Sequence, residues 1–172
     1  MFDDIRPYHD DEVAVVIQKL INEKGLQTSI ASLMMPKFHR LFPLLSRKLV
    51  KFSLKRKVKK FNKIKDIQTE VATYLSHLIK KSSDGFTFNG LDKLDTTKPA
   101  LFISNHRDIV LDAALVNLAL FQNGLNTVEA AVGDNLLTEP WVSDLMRLNK
   151  SFIVKRSEKT KRAMLQASKN LS

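Results

Sequence analysis

At Ser82-Ser-Asp-Gly85 the spacing of apolar residues changes, and that change limits the folds open to this chain. Before it, apolar side chains recur every three or four residues, the period of helices with one buried face. After it, short apolar runs alternate with helical stretches, the order found in α/β sheets. The expectation is a helical region over residues 1–82 and an α/β region over residues 83–172.

In the front region, residues 10–24 form a predicted helix. Acids occupy its first turn, Val13, Val16, Ile17, Leu20 and Ile21 share one side, and Gly25 follows as a stop. Residues 28–35 make a short helix closed by Pro36, and a long helical stretch runs over residues 42–65. Ile67, Val71, Tyr74, Leu75 and Leu78 mark one more helix before the turn. Beyond it, strands are predicted over residues 86–90, 100–104, 127–132 and 151–155, with helices over 109–120, 140–148 and 158–170. This order implies a partly parallel sheet flanked by helices. In such sheets ligands meet the carboxyl ends of strands, and His106 and Arg156 both fall just past predicted ends.

The net charge of +10 is concentrated. Between Arg47 and Lys65 stand ten basic residues and no acid. Leu45, Leu49 and Phe52, then Leu54, Val58 and Phe61, interleave with them at helical spacing. A basic amphipathic helix of this kind suits an anionic membrane surface, where each Lys or Arg contributes about 1 kcal/mol. The alternative for the same pattern is a solvated charged face over a packed apolar stripe. A nucleic-acid-binding module is the rival from another class, given the basic stripe with Phe52 and Phe61 inside it. No recognised nucleic-acid motif accompanies the stripe, so no nucleic-acid partner is expected.

Several chemistries are excluded. The chain has no cysteine, which removes disulfides, thiol catalysis and cysteine metal sites. Its five glycines are scattered, so no glycine-rich phosphate loop is present. His9, His39 and His77 are unclustered and read as packing or surface residues, and no metal site is expected. The first residues are acidic where a signal peptide would be basic, and no apolar run reaches the ~18 residues that span a bilayer. The expected location is the cytoplasm, peripheral on the inner face of the membrane.

Asn105-His-Arg-Asp-Ile-Val-Leu-Asp112 sets a histidine between the predicted strand at 100–104 and a helix start. A histidine there can act as a general base near neutral pH if a carboxylate fixes the tautomer of its ring. Asp108 and Asp112 are both near enough in sequence. Asp108 also reads as a helix N-cap. Ser104 more simply ends the strand than acts as a nucleophile, and Asn105 supports the turn or the chemistry.

These residues resemble the first signature block of the glycerolipid acyltransferases, in which Asn-His or Ser-His is followed by four residues and Asp. Here the carboxylate comes one place later, at Asp112, so either the turn holds one extra residue or Asp108 takes the aspartate's part. Asp112 is the preferred partner. Leu148-Asn-Lys-Ser-Phe-Ile-Val-Lys-Arg-Ser157 resembles the family's next block, which binds the phosphate of the acceptor. The carry-over falls on Lys155, Arg156 and Ser157, with Arg107 beside the histidine. A guanidinium suits a phosphate because it offers parallel donors in a planar fork. Where the family often has glycines on the approach, Asn149 and Lys150 stand here, and Gly133-Asp-Asn-Leu-Leu137 lacks the lysines relatives often carry at that place. The family's later Glu-Gly block is missing, and the resemblance covers roughly residues 86–172, with a looser likeness at Phe2-Asp-Asp-Ile-Arg-Pro-Tyr8.

The resemblance implies an acyltransferase-like α/β fold, incomplete at its C-terminus, forming the front portion of a longer enzyme. Such a portion is either an active enzyme by itself or an inactive fragment. It implies transfer of a fatty acyl group from acyl-CoA or acyl carrier protein to glycerol 3-phosphate or lysophosphatidic acid in phospholipid synthesis. His106 would be the base, Asp112 or Asp108 its partner, and Lys155 and Arg156 the phosphate ligands. No cofactor is implied beyond the acyl thioester, which is a substrate. The alternative is a basic membrane-surface or nucleic-acid-binding module without catalysis.

Overall fold

A computed structural model describes residues 3–105, 108 and 111–156. The predicted helix at 158–170 lies outside the described residues. The chain divides into two units, one from the described parts of Met1–Ile67 and Ala131–Ser172, the other Gln68–Ala130.

The first unit is built on helices. A single 3-10 turn at Asp10–Glu12 leads into α1, Val13–Asn22; α2 is Lys24–Met34, α3 Pro36–Leu41 and α4 Pro43–Lys57, with α5, Ile64–Ser82, starting in this unit. The apolar side of α1, Val13, Val16, Ile17, Leu20 and Ile21, buries against Ile64, Ile67 and Leu148. Each such side chain taken from water contributes roughly 1.5–3 kcal/mol. Asp10 Oδ1 accepts from the Ile64 amide at 2.8 Å, and Asp66 Oδ2 accepts from the amides of Asn62 and Lys63 at 2.8 and 2.9 Å. These bonds satisfy donors at and before the start of α5.

The α1–α2 break corrects the sequence reading. The chain turns at Glu23, with ψ 119°, and Gly25 lies in the first turn of α2 instead of ending α1. The reason is packing. A Cβ on Gly25 would meet the Trp141 indole Nε1 at 2.5 Å, so the glycine leaves room for the ring.

The sheet consists of β1, Ala130–Gly133, and β2, Ser151–Val154, parallel and joined through α7, Pro140–Leu148. Trp141 and Leu148 face the first unit's core. Leu145 is exposed, while Asp144 and Arg147 are buried. Burial of Arg147 follows from its partners in the N-terminal segment. Its Nε donates to the Arg6 carbonyl at 2.7 Å and its Nη2 to the Asp3 carbonyl at 2.5 Å. Its guanidinium lies 4.1 Å from the centre of the Tyr8 ring. The Ile153 amide then donates to the Ile5 carbonyl at 2.9 Å, which fastens the segment to β2.

In the second unit α5 continues, and α6, Leu111–Gln122, packs Leu118 against Ala72 and Leu75. A Schellman turn closes α6. Gly124, with φ 71°, donates to the Phe121 carbonyl at 3.1 Å, and Leu125 to the Leu120 carbonyl at 3.0 Å.

Two expected strands are not strands. Residues 86–90 and 100–104 have no ladder partner among the described residues. Leu101 and Ile103 are each 86% exposed and Phe102 38%. The alternation is that of an extended chain, but a strand also needs a neighbour to take its amides and carbonyls. Of the run expected over 127–132, only Ala130 onward is paired, and the described structure is mostly helical with one small parallel sheet.

Candidate functional site

In the second unit, Asp108 and the start of α6 form a reciprocal cap. Asp108 Oδ1 accepts from the Leu111 amide at 2.7 Å, and Asp112 Oδ2 accepts from the Asp108 amide at 3.1 Å. Each carboxylate thus takes one backbone amide at the helix start, Asp108 that of Leu111 and Asp112 that of Asp108, the logic of a capping box. Negative charge there also meets the positive end of the helix dipole. Asp108 is exposed and Asp112 half-buried. His106 and Arg107 lie outside the described residues.

The first unit holds the basic pair. Lys155 and Arg156 directly follow β2 and are exposed. Arg156 is fixed at two points. Its amide donates to Asp134 Oδ1 at 2.9 Å, and its side chain crosses Gly133 so closely that a Cβ there would lie 3.3 Å from Arg156 Cδ and clash with Asn135 Oδ1. The glycine at the end of β1 therefore gives the arginine stem its path. Lys155 Nζ pairs with Asp4 Oδ2 at 2.6 Å, and this hydrogen bond holds the Asp4 carboxyl below its ordinary value. Ser157 lies outside the described residues.

Chemically, β2 delivers two cations at the carboxyl end of a parallel strand, where α/β sheets meet anionic ligands. Both cations stand out in the sequence, whereas their supports Gly133, Asp134 and Asp4 do not. The Gly-Asp pair closing an apolar run was the available signal for the first two. For Asp4 there was none, because its partner lies at the other end of the described chain.

The turn before β2 carries one more feature. Lys150 has φ 58°, the left-handed conformation that glycine adopts freely. A glycine on this approach, as the resemblance expected, would have satisfied the backbone. Lysine occupies the same conformation.

A family model described as Acyltransferase matches residues 85–172. No curated protein matches the chain, and no solved structure does.

Proposed function

We propose, from the premise that the chain belongs to the acyltransferase family, that it moves a fatty acyl group from acyl-CoA or acyl carrier protein to a phosphorylated glycerol acceptor. The acceptor is glycerol 3-phosphate or lysophosphatidic acid and the product a phospholipid precursor. His106 takes the proton of the acceptor hydroxyl as its oxygen attacks the thioester carbonyl. The C–O bond forms, the C–S bond breaks, and the departing thiolate takes the proton back from the imidazolium. Asp112 orients the ring and stabilises its charged form, as the carboxylate does in a Ser-His-Asp triad. Asp108 is the second candidate for that part; each carboxylate serves one backbone amide through one oxygen, Asp108 that of Leu111 and Asp112 that of Asp108. Lys155 and Arg156, with Arg107 and Ser157, grip the phosphate, and that grip fixes the hydroxyl for attack. We assign the work to the inner face of the membrane, because the acylated product partitions into the bilayer.

The observation that carries the reading is Arg156, held by Asp134 and given its path by Gly133 directly after β2. An arginine with its backbone fixed and its stem supported is pre-organised for a fork of hydrogen bonds to phosphate. A thiol-reactive dye tests this well, because the chain has no cysteine to react with it. Acyl-CoA with lysophosphatidic acid should release coenzyme A thiol, and acyl-CoA with the unphosphorylated monoacylglycerol should release far less. Arg156→Ala should raise the KM for lysophosphatidic acid by roughly 10–100-fold, the worth of a hydrogen bond to a charged group. Equal turnover of the two acceptors by the native chain would reject the phosphate grip.

A further inference from the structure

The long basic stretch is two-faced. On α4, Ser46, Val50 and Leu54 turn inward, the first two fully buried and Leu54 packed beside the α1 core. Leu45, Leu49 and Phe52 follow one another at four and three residues and so form a stripe of their own, turned about 130° round the helix from the buried set. These three side chains are exposed, Leu49 at 47% and Phe52 at 67%. The turn into the helix adds Leu41, Phe42 and Leu44, also exposed. Lys48 and Lys55 border the stripe, Arg56 continues it one turn on, and all three reach solvent. No acid occurs anywhere in residues 24–65.

We propose that this outer face of α4, together with the α3–α4 turn, docks on the surface of an anionic lipid bilayer. Solvent-facing leucines and phenylalanines side by side are unfavourable in water, and monomeric proteins seldom present such patches without a use. A bilayer takes both parts of the face. Its headgroups meet the cations, and the acyl boundary receives the apolar stripe to a depth of a few ångströms. The phosphate backbone of a nucleic acid would meet the cations and leave the leucines without a partner. The helix is too polar to cross the membrane: no described helix is long and apolar enough for that. The face lies wholly within the first unit and stands independently of acyl transfer, so binding and turnover can fail separately.

Co-sedimentation of the full chain tests the proposal. The probes are vesicles of phosphatidylcholine alone and of phosphatidylcholine mixed with phosphatidylglycerol, over rising salt. Selective, salt-sensitive binding to the anionic vesicles is expected. Replacing Lys48, Lys55 and Arg56 together by Gln should weaken it on the order of a hundred-fold, about five-fold for each cation. Leu49→Ser with Phe52→Ser should weaken it at least about ten-fold while all charges stay. These side chains are exposed, and an unchanged circular dichroism spectrum would show each variant folded. Two results would overturn the proposal: no preference for anionic vesicles, or full binding by the Leu49 and Phe52 variant. Retention on duplex DNA that depends on the three cations and ignores the apolar pair would likewise overturn it in favour of a nucleic-acid surface.

Discussion

Lys150 pays for a conformation that its side chain does not favour. Its φ of 58° follows the end of α7, and its amide donates to the Arg147 carbonyl at 3.3 Å, as a residue just past a helix does. Left-handed backbone costs a non-glycine residue about 1–2 kcal/mol, part of which glycine gives back through the freedom of its unfolded chain. Lys150→Gly should therefore raise stability by about 0.5–1 kcal/mol in urea denaturation. Gly124 shows the same device at the end of α6 with the residue that suits it. Five residues later the charges differ in their settings. Lys155 is already paired with Asp4, whereas Arg156 has its backbone amide bonded to Asp134 and its stem laid across Gly133. Lys155→Ala should consequently raise the acceptor KM less than Arg156→Ala does, as steady-state kinetics on the two variants would show. The cations themselves were legible in the sequence as Lys-Arg after an aromatic and aliphatic run. Their supports were not, since these come from the end of another strand and from the N-terminal segment.

Elements were legible where period decided them and obscure where packing did. The apolar side of α1 was plain in the spacing of Val13, Val16, Ile17, Leu20 and Ile21, and all five are buried. Gly25 misled because glycine after an apolar run is a common helix stop, and only Trp141 reveals its other use. Gly25→Ala should drive the new methyl into the indole and cost about 1–3 kcal/mol, the range for overpacked sites. Thermal melting would measure it. The acids before α1 make a second case. Glu12 accepts from Arg6 Nη1 at 2.7 Å and Nη2 at 3.0 Å, and from the His9 amide at 2.8 Å. The hydrogen bonds from Arg6, then from His9, pull its pKa from 4.5 down to about 2. A folded-state pKa below the unfolded one stabilises the fold above the unfolded value and is lost as pH falls through the folded value. Stability should therefore decline between about pH 4.5 and about 2, and Glu12→Gln should flatten that part of a urea-midpoint curve. The stretch at 100–104 failed for another reason. Its alternation is real, with Leu101 and Ile103 outward and Phe102 less so, yet periodicity says nothing of whether a neighbouring strand is present.

At the scale of the whole molecule, the family match covers residues 85–172, while the compact units divide at Ile67 and Ala130, inside α5 and at the first residue of β1. The second strand and its crossover helix were legible because βαβ order leaves a strong trace in apolar spacing. The N-terminal segment was not. Asp3, Arg6 and Tyr8 are tied to Arg147, a contact that closes across nearly the full described length and leaves no local pattern. The proposed transfer rests on one imidazole doing the work of a base, so the decisive measurement is the rate of acyl transfer by His106→Ala. General-base catalysis contributes typically 10²–10⁴-fold. Acyl-CoA and lysophosphatidic acid should therefore give a kcat lowered on the order of a thousand-fold, with the circular dichroism spectrum and the acceptor KM close to those of the native chain. Native turnover by that variant would contradict the account.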